Sequence, residues 1–133
     1  MRADFLDSNV VLYLLDGGAK AEIAEQLLAT NPTISVQVLN EVLVNCIRKA
    51  GMSWEKAGVF LLGIRRVCNV VELTEMTHEV GCALGERYGF SVYDSMIVAS
   101  ALLAGCDTLY SEDMHDGLAV EGVLRIVNPF TPV

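Results

Sequence analysis

The sequence predicts an α/β fold: a three-layer α/β/α sandwich around a mostly parallel sheet of about five strands. Two observations predict it. Short apolar, β-branched runs alternate with longer helical patterns along the whole chain, which implies parallel strands joined by right-handed helical crossovers. Acidic residues recur just after the strands or at the starts of helices, and sheets of this kind place their sites at the carboxyl ends of the strands. At 133 residues the chain, 1–133, is read as one domain, long enough to bury roughly two-thirds of its unfolded surface.

The elements follow in order. Arg2–Leu6 is extended and runs into Asp7-Ser8-Asn9. Val10–Leu15 reads as a short buried helix closed by Asp16-Gly17-Gly18. Lys20–Ala29 is amphipathic, with Ile23, Leu27 and Leu28 on one face and Glu22, Glu25 and Gln26 on the other; Asn31-Pro32 ends it. Thr33–Val36 is a second strand. Gln37–Ala50 is a helix with Glu41 one turn in, stopped by Gly51. Ser53 caps the next helix, Trp54–Arg66. Asn69–Leu73 is the third strand. Thr74 caps a helix through Tyr88 that ends at Gly89.

Ser91 caps the helix that carries Asp94, the only charged residue between Arg87 and Asp107. Ile97, Val98, Ala101 and Leu102 follow at three- and four-residue steps, so this helix is expected to be buried around most of its circumference. A carboxylate at its head feels the positive end of the helix dipole. Thr108–Tyr110 is the fourth strand, running into Ser111–Gly117. Leu124–Val127 is the last.

Composition narrows the function. The net charge of −8 argues against a nucleic-acid coat, which is basic, but leaves room for an enzyme that meets nucleic acid through bound cations. The hydrophobic fraction of 53% points to a large core, an apolar partner surface, or both. No apolar run reaches membrane-spanning length, and the opening Met1-Arg2-Ala3-Asp4 does not read as a signal peptide. Cys46, Cys68, Cys82 and Cys106 form no Cys-x-x-Cys pair. They read as reduced, mostly buried thiols of a cytoplasmic protein. His78 and His115 match no zinc spacing.

The acids carry the chemistry. Asp7 follows strand one, Glu41 lies in the first turns after strand two, Asp94 opens the helix before strand four, and Asp113 and Asp116 follow strand four. All map to one edge of the sheet. Each also has an ordinary structural reading: Asp7 as an N-cap, Glu41 as a solvated helix acid, Asp94 as an N-terminal helix residue, Asp113 and Asp116 as turn formers. Glu112 reads as solvated. Joint placement favours a site. Two carboxylates about 4 Å apart repel by roughly 4 kcal/mol at an effective dielectric near 20. No Lys or Arg lies within two residues of Asp94 or Asp113, so a hard divalent cation, Mg²⁺ or Mn²⁺, is the natural neutraliser.

These stretches resemble a known family. Leu6–Asp16, Ile34–Glu41, Tyr93–Ala101 and Leu109–Met114 resemble, in order, the motifs of PIN domains, and the single-domain length and the Ser-Glu-Asp-Met ending resemble VapC-type toxins of bacterial toxin–antitoxin pairs. The resemblance implies a PIN-like sandwich and a Mg²⁺- or Mn²⁺-dependent endoribonuclease. It carries the catalytic and metal-holding roles onto Asp7, Glu41, Asp94 and Asp113, points to Asp116 as a further metal acid, and places Asn9 and Ser111 as polar supports. It also implies an RNA substrate, an antitoxin partner and a homodimer. In the expected mechanism a metal-bound water attacks the phosphodiester and leaves a 5′-phosphate and a 3′-hydroxyl.

Other readings stand beside this one. A PIN-like fold kept as a catalytically silent dimerising or RNA-binding module has the same sequence. A metal-free ribonuclease using His115 as base leaves a 2′,3′-cyclic phosphate. A haloacid-dehalogenase-like phosphohydrolase needs an Asp where Asn9 stands. The basic segment with Arg48, Lys49, Lys56, Arg65 and Arg66 reads either as an RNA-backbone groove or as a solvated helix face. Val59–Leu62 within it reads first as core, and otherwise as a dimer or antitoxin surface.

Overall fold

The computed structural model describes residues 3–131; Met1 and Arg2 of the expected opening lie outside them. In chain order the elements are β1 (Asp4–Leu6), α1 (Ser8–Leu12) continued by a 3-10 turn at Tyr13–Leu15, α2 (Gly18–Leu28), β2 (Thr33–Ser35), α3 (Val36–Arg48), α4 (Trp54–Val67), β3 (Asn69–Val71), α5 (Glu75–Tyr88), α6 (Val92–Leu103), β4 (Thr108–Tyr110), β5 (Ala119–Val120) and β6 (Leu124–Val127). The sheet order is β3-β2-β1-β4-β6-β5. Every pairing is parallel except β5 with β6. The expected α/β architecture is therefore present, with six strands rather than five.

The extra strand has a local cause. β5 is two residues long and returns to β6 through a turn in which Glu121 and Gly122 both have positive φ, 52° and 67°. Hairpin turns of that hand favour Asn-Gly or Asp-Gly; Glu-Gly is a weak signal for one.

The order of the strands fixes where a ligand can sit. From β1 the chain steps outward to β2 and β3, then crosses back to β4 on the other side of β1. Right-handed crossovers put α1 to α4 over one face and α5 with α6 over the other. The reversal leaves a crevice outside the carboxyl ends of β1 and β4, where ligands bind in open sheets of this class.

The core runs through the central strands. Phe5, Leu6, Ile34, Leu109, Leu124 and Ile126 are fully buried, each such side chain stabilising the fold by about 1.5–3 kcal/mol. From α6, Ile97, Val98, Ala99 and Ala101 join them, so the expectation of an almost wholly buried helix holds. Small residues let α5 approach it. A Cβ on Gly81 would lie 2.5 Å from the Met96 sulfur, and one on Gly85 would lie 2.7 Å from Ser95 Oγ. Val59–Leu62 is divided against its first reading as core: Phe60 and Leu61 are half-buried and pack against the core beside Ala57 and Ile64, while Val59 is 69% exposed and Leu62 is exposed too. The face of α4 is set by Ala57 and Ile64, a pair of turns apart, which leaves Val59 and Leu62 outward.

Candidate active site

The crevice is built from backbone outward. Asp7 N donates to the Tyr110 carbonyl at 3.0 Å, extending the β1–β4 ladder by one residue. That puts the Asp7 side chain at the exit of β1. It is an N-cap, its Oδ1 accepting from Ser8 N at 2.7 Å, so the structural reading of Asp7 is correct as far as it goes. Its other oxygen faces across to β4. There Ser111 Oγ donates to Asp7 Oδ2 at 2.8 Å, and Ser111 itself is fully buried.

Asn9 lies between the first and last acids. Its Nδ2 is 3.1 Å from Asp113 Oδ2 and 3.4 Å from both Asp7 Oδ2 and Ser111 Oγ. Its Oδ1 accepts from Glu112 N at 3.2 Å, which fixes the amide's orientation. Glu41 comes in from α3. Its Oε1 accepts from Ser8 Oγ at 2.8 Å and its Oε2 from Gln37 Nε2 at 3.0 Å. The same Gln37 nitrogen donates to the Tyr93 carbonyl at 2.9 Å, tying α3 to the head of α6. Asp94 follows there, half-buried, with its own N–H on the capping Ser91 Oγ at 3.2 Å.

Burial and like charge set the electrostatics. Asp7 is 5% exposed, and desolvation pushes its carboxyl up to about 6; hydrogen bonds from Ser111 and Ser8 pull the other way, and the charges of Glu41 and Asp94 add to the rise. The Asp94 carboxyl is also raised, first by desolvation, against the Ser91 hydrogen bond, then by Glu41 and Asp113. Every charge acting on these two acids is negative. Asp7 thus feels Glu41 and Asp94, and Asp94 feels Glu41 and Asp113.

They are not drawn into a ligand shell. Among the described residues no group of three or more His, Cys, Asp or Glu is gathered closely enough to hold a metal ion. The expectation that these acids converge is corrected to that extent: they share an edge, and the Asn9 amide sits between Asp7 and Asp113. The donor chemistry still suits a hard cation. All the donors are carboxylate oxygens, none of these acids is in an ion pair among the described residues, and a partly protonated buried Asp7 would be ionised by a cation beside it.

Asp116 stands elsewhere in its contacts. It is exposed and its Oδ1 accepts from Asn128 N at 2.9 Å, holding the loop to the segment after β6. His115 is exposed. Glu112 is corrected from a solvated acid to a paired one: Tyr13 O–H and Lys20 Nζ both donate to it, at 2.5 and 2.6 Å, and these bonds hold its carboxyl below the usual range. A cavity of about 210 Å³ opens beside it, lined by Asn9, Leu12, Tyr13, Asp16, Glu112 and Asp113. A larger groove of about 790 Å³ lies between α3 and α4, with Leu39, Leu43, Trp54 and Leu62 on its walls and Arg65 and Arg66 among its lining.

Comparison with known proteins decides the family. The PIN domain profile matches residues 5–116, from the middle of β1 through the loop after β4.

The chain belongs to the PIN-domain family.

Among curated proteins no sequence match was found. Solved structures share the fold of this PIN domain. A toxin–antitoxin complex from Klebsiella pneumoniae superposes with a TM-score of 0.75 at 21% identity, covering 96% of this chain and 98% of that one. VapC20 from Mycobacterium tuberculosis, described as a sarcin–ricin loop cleaving toxin, gives 0.67 at 24%, covering 84% and 90%. DNA-bound VapBC from Salmonella typhimurium gives 0.69 at 17%, covering 95% and 97%. At these identities the likeness is one of fold.

Sequence reasoning passed over Ser8, Gln37, Tyr13 and Lys20. Gln37 had a readable signal, four residues before Glu41 on one helix face. Tyr13 and Lys20 had none, since their partner lies some ninety residues on.

Proposed function

We propose that this PIN-domain protein is a Mg²⁺- or Mn²⁺-dependent endoribonuclease, the toxin of a toxin–antitoxin pair, acting in the cytoplasm as a homodimer. The observation that carries the reading is the buried carboxylate of Asp7 at the β1–β4 crevice, with the like charges of Glu41 and Asp94 acting on it. Fold likeness over 96% of the chain to a toxin–antitoxin complex, and over 84% to a protein described as a sarcin–ricin loop cleaving toxin, supports it.

In this reading Asp7, Asp94 and Asp113 hold the cation, with Glu41 either joining them or orienting the water. When bound, the ion would polarise a phosphoryl oxygen and activate water. The chain's own residues do the rest. Ser8 and Gln37 fix both oxygens of Glu41. Ser111 and Asn9 hold the second oxygen of Asp7. Attack on phosphorus breaks the bond to the 3′ oxygen and leaves a 3′-hydroxyl and a 5′-phosphate. Asp116 is a supporting acid for a second ion only if it leaves Asn128. The exposed apolar residues of α4, Trp54, Val59 and Leu62, are surface available to the antitoxin or to a second copy.

A second reading has an observation of its own. With Asn9 between Asp7 and Asp113, the crevice is also what a catalytically silent, RNA-binding PIN module would present. Asp94→Asn separates them: under the nuclease reading purified wild type should cut RNA with Mn²⁺ and the folded variant should not. RNA cleavage by the purified variant at the wild-type rate would overturn the assignment.

A further inference from the structure

We propose that Lys20 and Tyr13 clamp Glu112 and thereby position Asp113, so that both are positioning residues for the carboxylate group. The inference rests on the reading of Asp113 as one of the catalytic acids.

Asp113 is exposed, and an exposed acid on a loop has many rotamers and backbone states open to it. Its neighbours remove that freedom. Glu112 is gripped twice. Its side chain takes Tyr13 O–H on one oxygen and Lys20 Nζ on the other, while its backbone N–H goes to Asn9 Oδ1. Asn9 then reaches Asp113 Oδ2. On the far side, Met114 is buried in the core.

The clamp is itself braced. Lys20 Nζ lies 3.1 Å from Tyr13 O–H and 4.6 Å above the centre of the Tyr13 ring, with the Phe130 ring centre at 5.5 Å. Tyr13 and Phe130 meet edge to face at 4.8 Å. The ammonium is therefore held over two aromatic faces as well as by the carboxylate. The 3-10 turn and the first turn of α2 supply Tyr13 and Lys20, so the connection after β1 holds the loop after β4.

Charge gives the arrangement a second use. Lys20 neutralises Glu112, so the residue next to Asp113 adds no free negative charge to an edge already crowded with them. The pair is partly exposed, 46% and 24% at the two side chains, and such pairs contribute little to global stability. A clamp of this kind acts on activity rather than on Tm.

The test compares wild type with Lys20→Met, Lys20→Arg and Tyr13→Phe, the last changing no charge. Hydrogen exchange at the Glu112 and Asp113 amides and RNA cleavage with Mn²⁺ are measured together. Lys20→Met should speed exchange at both amides and lower kcat by about tenfold, in the range for partners that orient a metal-holding group, with KM unchanged. Lys20→Arg should restore both, and Tyr13→Phe should fall between. Unchanged exchange in Lys20→Met, or faster exchange with wild-type kcat, would overturn the clamp. If wild type itself cuts no RNA, the proposed function fails, and the exchange result alone still decides whether Lys20 holds the loop.

Discussion

Ser111 Oγ donates to Asp7 Oδ2 at 2.8 Å, across 104 positions of sequence. This bond joins the exits of β1 and β4 at the point where the sheet order reverses. Ser111 spends its other capacity on Asp113 N at 3.3 Å, so one buried hydroxyl serves an acid on each side of the crevice. Ser111→Ala removes a side-chain hydrogen bond that favours ionised Asp7. The Asp7 carboxyl should rise further, and the acid limb of Mn²⁺-dependent cleavage should move to higher pH. Stability should fall by about 1–3 kcal/mol from the unsatisfied carboxylate. A pH–rate profile and a urea titration check the two effects.

Asp7 costs the fold stability at neutral pH. Its folded value of about 6 lies above the ordinary 3.8. A raised acid binds its proton more tightly folded than unfolded, so the stabilisation is full below the unfolded value and is lost as pH rises through about 6. The loss by pH 8 is on the order of 2–3 kcal/mol. Asp7→Asn should therefore raise Tm at pH 8 by several degrees and by much less at pH 4.5. An equal change at both pH values contradicts the desolvation account.

Divalent ions should relieve the same strain. Mn²⁺ at about a hundred times its Kd should stabilise wild type by about 2.7 kcal/mol. Asp94→Asn should lose most of that gain while folding normally. Thermal melts with Mn²⁺ and with chelator read this without any substrate.

The α5–α6 contact is close enough to be tested by one methyl group. Gly85→Ala puts a Cβ 2.7 Å from Ser95 Oγ, whose hydroxyl bonds the Ser91 carbonyl at 2.7 Å beside Asp94. Overpacking of this kind costs about 1–3 kcal/mol. Gly63→Ala, on α4 with nothing within 4 Å, should instead stabilise by about 0.4–1 kcal/mol. Urea midpoints of the two variants should move in opposite directions.

Much of the fold was legible because its signals were local. Ser53, Thr74 and Ser91 cap the helices they were expected to cap, and Gly89 ends α5 with φ of 77°. The apolar steps after Asp94 read correctly as a buried helix. β5 was not legible, since two residues and a Glu-Gly turn carry almost no pattern. Nor was the outward face of α4: four apolar residues in a row, Val59–Leu62, do not say which side meets the core. At the site, the strand-exit rule brought Asp7, Glu41, Asp94 and Asp113 to one edge. What it did not contain was the chemistry between them. Asn9 spans Asp7 and Asp113, and Lys20 reaches Glu112, through contacts between segments far apart in sequence. The Asp116 bond to Asn128, twelve positions on, was not legible either.

The central claim is tested most directly by incubating a mixed RNA pool with the purified chain, with Mg²⁺ or Mn²⁺ and with chelator, and reading the product ends. The account predicts cuts that need the metal and leave 5′-phosphate and 3′-hydroxyl ends. Cutting in chelator with 2′,3′-cyclic phosphate ends would contradict it and move the chemistry to His115.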